Sequence, residues 1–209
     1  MAKLSKTYYF ILITAVITLL FISCNRKSVM SQSEYISFLN SDESSLVISK
    51  SIDKIIFKCK LQPARLITLS LDKNYNNEQD FLKDLEYYKD QINIVLIIED
   101  IDKTSHEVKK TVFDVQKFGN FLSYANTDLK NDIELKLDNG DIVSCDLVHM
   151  EPANSIKPVI RITASFKKKG INDKECTVIF DDNLFNHGPM KFYYENNVFE
   201  NLPKLKFTI

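Results

Sequence analysis

The sequence predicts an α+β domain built mostly of antiparallel β-sheet, with two or three helices in its N-terminal half. Three observations lead there. Short segments of strict apolar/polar alternation dominate from residue 131 onward. The segments with helical spacing of apolar residues are concentrated earlier. Asp, Asn, Gly and Pro punctuate the chain at intervals suited to hairpins. Such an order of elements suits helices segregated to one side of an antiparallel sheet; a two-sheet sandwich decorated by helices is the alternative.

The elements are taken in order. Residues 33–40 (SEYISFLN) read as a short helix with Ser33 near its N-cap. Asp42 to Ser45 is a polar turn. Leu46–Ser51 and Lys54–Leu61 alternate and read as a hairpin joined at Ile52-Asp53. Pro63 ends the second strand, because it cannot donate to a ladder, and suits the first turn of a helix over 64–72. Residues 77–89 are the clearest helix, with acids in the first turn and a stripe of Phe81, Leu85 and Tyr88. Ile92–Glu99 is apolar on both faces from Ile94 to Ile98, the mark of a central covered strand. A further helix is predicted over 114–126, with Phe118, Leu122 and Ala125 on one face.

Beyond residue 131, Ile133, Leu135 and Leu137 alternate, Asp138-Asn139-Gly140 turns, and Asp141–His149 returns. A two-residue Asn-Gly loop would set Leu135 opposite Ser144. A three-residue loop with Gly140 left-handed sets Leu135 opposite Val143 and Ile133 opposite Cys145. Only the second keeps one face apolar, so it is the expected register. Val159–Lys167 and Cys176–Asp181 are the next strands, joined by the basic Lys167–Asp173 turn, and Lys191–Glu195 and Leu205–Phe207 close the chain.

The start of the chain is of another kind. Lys3 and Lys6 precede an apolar run from Tyr8 to Ile22, interrupted only by Thr14 and Thr18. That run is shorter than the ~20 residues a spanning helix needs, and has the parts of a secretory signal. It ends in Phe21-Ile22-Ser23-Cys24, which resembles the lipobox of bacterial lipoproteins. The resemblance implies a signal peptide over residues 1–23, cleaved between Ser23 and Cys24, with lipid carried on Cys24. Acyl chains gain ~0.8 kcal/mol per buried methylene, so several hold a protein firmly on a membrane. Residues 24–33 are polar and read as a tether that reaches at most ~35 Å, leaving 34–209 as one globular domain. Asn25 follows Cys24 where that family's inner-membrane members carry Asp, which implies the outer membrane, with the periplasmic leaflet expected.

Composition excludes several classes. Without residues 1–23 the formal charge falls from −1 to −3, since only Lys3 and Lys6 are lost, and nothing suggests a nucleic-acid partner. The four glycines, at 119, 140, 170 and 188, stand alone, so no phosphate-cradling loop can be written. Cys59, Cys145 and Cys176 each alternate with apolar neighbours, as buried thiols do. One disulfide among them is the alternative reading.

No residue in the sequence declares a catalytic or metal role, and no cofactor is expected. His149 at a strand end, with Glu151 two positions on, reads as a surface pair rather than an oriented base. His187 lies in Asn186-His187-Gly188-Pro189 and reads as a turn residue. Glu99-Asp100-Ile101-Asp102 and Asp181-Asp182-Asn183 read as solvated strand-end turns, because neither has the ligand spacing of a calcium loop. Phe192, Tyr193, Tyr194 and Phe199 are expected to divide between core and surface.

The segment from Ser33 to Pro63, and that from Val178 to Leu205, resemble the two ends of a family of uncharacterised Gram-negative envelope lipoproteins. Where that family carries an Asn-Gly turn before its first strand, this chain has Ser44-Ser45. The resemblance implies no activity and no functional residues. The expectation is a membrane-anchored, non-enzymatic module that binds a protein partner in the envelope. An envelope hydrolase or a small-ligand-binding lipoprotein are the alternatives.

Overall fold

A computed structural model describes residues 29–209 apart from 42–43, 72–74, 102–106, 152–158, 170, 172–174, 196–197, 199–201 and 208–209. The segment read as a signal peptide, Ser23, Cys24, Asp102 and Phe199 lie outside the described residues.

The domain is α+β with antiparallel sheets, and its core is a pair of sheets packed face to face. Strands β2 (Val47–Ile52), β3 (Ile55–Gln62), β4 (Gln91–Asp100), β7 (Leu147–Met150) and β8 (Ile160–Lys167) form a five-stranded sheet in the order β2-β3-β4-β8-β7. Strands β5 (Ile133–Leu137), β6 (Ile142–Ser144), β9 (Cys176–Asp182) and β10 (Gly188–Tyr194) form a four-stranded sheet in the order β10-β9-β5-β6. Their inner faces meet in one cluster. Phe57 and Phe180 lie 6.5 Å apart across the interface, and the buried Tyr194 hydroxyl donates to the Cys59 carbonyl at 2.6 Å. Burial of alternate residues follows directly from the pleat: Cys176, Val178, Phe180 and Asp182 point inward along β9.

Helices α1 (Gln32–Asn40), α2 (Ala64–Leu69) and α3 (Glu78–Tyr88) belong to the N-terminal part, and α4 (Glu107–Phe113) and α5 (Val115–Thr127) follow β4. The N-cap of α1 is Ser31 rather than Ser33. Its hydroxyl accepts from Glu34 N at 3.4 Å while the Glu34 carboxylate accepts from Ser31 N at 2.9 Å, a reciprocal capping box. Hydrogen bonds from Ser31 hold the Glu34 carboxyl below its usual range. Ser31→Ala is expected to cost about 1 kcal/mol, read as a lower urea midpoint with an unchanged denaturant slope.

The tether reading of residues 24–33 needs correcting within its described part. Val29–Met30 form β1, parallel to β11 (Lys204–Leu205), and α1 begins at Gln32, so the folded domain reaches back at least to Val29. Met30 packs against the core, which explains why so short a strand is held. Helix α5 corrects the expected stripe: Phe121 is the buried residue, with Phe118, Tyr124 and Ala125 partly buried, and Leu122 is exposed. Helix α4 had no strong periodic signal. The Asp100 carboxylate accepts from Val108 N and Lys109 N, at 3.1 and 3.2 Å, at the start of this helix.

The three-residue loop is as expected, with Leu135 opposite Val143 and Gly140 at φ +85°. The return strand, however, does not continue to His149. It breaks at Cys145-Asp146, where the chain leaves one sheet for the other, and β7 pairs with β8. The β5–β6 ladder therefore ends at Glu134–Ser144, one position short of the expected Ile133–Cys145 pair, while Ile133 meets Phe180 on its β9 side. Asp146 secures the crossing: its N–H donates to the Ser165 carbonyl at 2.9 Å and its carboxylate accepts from Lys167 N at 2.8 Å. Strands β8 and β9 likewise lie in different sheets, so the chain changes sheet again between Lys167 and Cys176.

Candidate functional site

The inward alternation of β9 carries a carboxylate into the interior. Asp182 follows Cys176, Val178 and Phe180 on the inner face and is 0% exposed. A buried carboxylate is costly unless hydrogen-bonded, and the β9–β10 turn supplies the donors. One oxygen, Oδ1, accepts from Leu184 N at 3.1 Å and Phe185 N at 3.2 Å. The other, Oδ2, lies 2.8 Å from His187 Nδ1. To bring His187 back onto Asp182 the turn uses left-handed backbone on either side of it, with Asn186 at φ +60° and Gly188 at φ +72°. Gly and Asn are the residues that take this conformation at least cost.

The imidazole is walled by aromatic rings. Phe57 meets it edge-on at 5.6 Å and Phe185 stacks on it at 6.3 Å. Its Nε2 faces Asp53 Oδ2 at 3.4 Å, on the tip of the β2–β3 hairpin, where Asp53 has φ +52° and an 81%-exposed side chain. Beside this contact lies an open cavity of about 580 Å³ lined by Asp53, Lys54, Ile55, Phe185 and His187. Phe185 also borders a second cavity of about 460 Å³, together with Lys117, Asn120, Tyr124 and Asn183. In that second cavity the Tyr124 hydroxyl donates to Asp132, which also accepts from Asn183 Nδ2 at 3.0 Å. Burial, followed by the Asp132 carboxylate, pushes the Tyr124 hydroxyl well above the ordinary tyrosine range.

The chemistry open to this arrangement is limited by what faces Nε2. A carboxylate offers only acceptors, so the Asp182 contact places a proton on Nδ1 and orients the ring. In a nucleophilic triad the far nitrogen would meet a hydroxyl or thiol. Here it meets a second carboxylate. The three thiols do not supply a nucleophile either. Cys59, Cys145 and Cys176 are free and buried; burial pushes Cys59 and Cys176 up to about 12 and raises Cys145 as well, so they stay protonated.

The residues weighed from the sequence are scattered. His149 is exposed on β7, and Glu151 pairs with Arg161 at 3.1 Å rather than with the histidine. Asp100 caps a helix. Asp182 is not solvated and His187 is more than a turn residue; the two form the polar centre described above, which sequence reasoning missed. One signal was legible: Asp182 continues the inward alternation of Cys176, Val178 and Phe180, and a carboxylate on that face must find donors. Among the described residues, no group of three or more His, Cys, Asp and Glu side chains could hold a metal ion, and no helix is long and apolar enough to cross a membrane. No protein-family description, no curated protein and no solved structure matches the chain.

Proposed function

We propose that this chain is an envelope lipoprotein, anchored through Cys24 to the outer membrane and facing the periplasm, that binds a protein partner without catalysing a reaction. The anchor rests on Lys3 and Lys6, the apolar run from Tyr8 to Ile22 and the Cys that follows it. The binding role rests on the outer face of the four-stranded sheet. Tyr193, Thr177, Lys136 and Ile142 stand opposite one another in a single row across all four strands. The row ends in two large exposed side chains, Tyr193 at 49% and Ile142 at 58% exposure. Strands sit ~4.8 Å apart, so the row spans ~14 Å of flat surface. Its mixture of an aromatic, an aliphatic and flanking charges suits a polar-rimmed protein contact.

The test combines anchor and face. Cys24→Ala is expected to shift the protein from the membrane fraction to the soluble fraction. After mild crosslinking of intact envelopes, the wild-type chain is expected to enrich one partner. The double variant Ile142→Glu, Tyr193→Glu is expected to lose that partner at least about tenfold, since burying an unpaired charge in a contact costs several kcal/mol. A membrane fraction unchanged by Cys24→Ala would remove the anchor from this reading. A partner retained by the double variant would remove the face.

A further inference from the structure

We propose that Asp182, His187 and Asp53 form a proton-operated clasp, which ties the tip of the β2–β3 hairpin to the β9–β10 turn and narrows the cavity between them as pH falls. Asp182 is fully buried and already accepts two backbone N–H groups, so its remaining oxygen takes the Nδ1 proton of His187 at 2.8 Å. With Nδ1 protonated, Nε2 of a neutral ring carries a lone pair. It faces Asp53 Oδ2 at 3.4 Å, and a carboxylate presents only lone pairs in return. Two acceptors at that separation repel. A second proton turns the same contact into a charge-assisted hydrogen bond, and imidazole is the side chain whose charge changes near neutral pH.

The surroundings favour a local response. The Asp53 side chain is 81% exposed, so it can turn toward or away from the ring while the Lys54 carbonyl, held by Ile101 N at 2.9 Å, and the buried Ile55 stay in place. The ring cannot follow it, because Asp182 holds one edge and Phe57 and Phe185 flank it. Asp182 approaches the ring from β9, and Asp53 and Lys54 from the hairpin tip. From β3 the ring meets Phe57, whose cross-strand neighbour Lys50 is turned over the Phe192 ring at 5.9 Å. From the α5 side, Tyr124 and Asp132 approach through Asn183. Among the described residues Asp53 is the charged group that meets Nε2, so the second proton acts through it. Asp53 is part of the wall of the 580 Å³ cavity, so the protonation state of one ring sets how far that side chain closes over it.

The experiment uses the full chain in detergent micelles, labelled with ¹⁵N. His187 ring nitrogens and the backbone amides of Asp53 and Lys54 are followed from pH 8 to pH 5. In the wild type the two amides are expected to shift in step with the ring. In Asp53→Asn, an exposed and structurally mild change, the ring still titrates while the coupled amide shifts are lost. Amides that ignore the ring in the wild type would overturn the clasp, and so would coupled shifts that persist in Asp53→Asn. An Nδ1 found unprotonated at pH 8 would overturn the orientation on which it rests.

Discussion

Replacing Asp182 with Ala is expected to cost about 3–5 kcal/mol, because three part-buried donors lose a fully buried acceptor together. Leu184 N, Phe185 N and His187 Nδ1 all converge on this one carboxylate, within 2.8–3.2 Å. In a domain of this size each kcal/mol lowers Tm by ~2–4 °C, so the variant should melt on the order of 10 °C below the wild type. Asp182→Asn should fall between the two, since its amide oxygen can still accept from the two backbone groups. A melting curve within about 2 °C of wild type for Asp182→Ala would show that the turn finds other partners, and that the carboxylate does not organise it.

The second large effect is alkaline. Cys59 and Cys176 are raised to about 12 by burial, and the buried Tyr194 hydroxyl is raised well above its usual range, also by burial first. In the unfolded chain a thiol ionises near pH 8.5. Below that pH both states hold the proton, and the contribution to stability is complete. Between about pH 8.5 and 12 the unfolded chain binds fewer protons than the folded one, so stability falls as pH rises. Each such group removes up to about 1.4 kcal/mol per pH unit, and two thiols about 3. A typical stability of ~5–15 kcal/mol would be mostly consumed by the upper end of that window. Urea midpoints at pH 7, 9 and 10.5 measure this directly. Cys176→Ala should be somewhat less stable at pH 7 yet show a shallower decline toward pH 10.5. An unchanged slope in that variant would mean the thiol is reached by solvent in the folded state.

Much of the fold could be read in the chain because the relevant signals are local. Alternation in β3, β5, β8 and β9 follows the pleat, and the acidic first turn of α3 is where the sequence places it. The register of the β5–β6 hairpin followed from asking which loop keeps Leu135 and Val143 on one face. What failed to read was of longer range. The apolar alternation of Val143, Cys145 and Leu147 conceals the crossing at Cys145-Asp146, after which Leu147 is exposed and the inward phase passes to Val148 and Met150. Val29-Met30 looks like tether until Lys204-Leu205 is placed beside it. The candidate site was half visible. Asp182 sat in the inward phase of its strand, whereas Asp53, 129 positions earlier in the numbering, offered no sign that a histidine would face it.

The sequence by itself determined the α+β class, the inward phase of the three cysteines, the hairpin register and the basic, apolar and cysteine-ended start, because each depends on neighbours a few residues apart. Tertiary structure alone decided which strands share a sheet, where the chain crosses between sheets, and that Asp182, His187 and Asp53 converge. The physical reason is that pairing two sheets is a choice among surfaces of nearly equal apolarity. It is settled by packing and by the need to supply every buried polar group with a partner, and neither is written in any one stretch of chain.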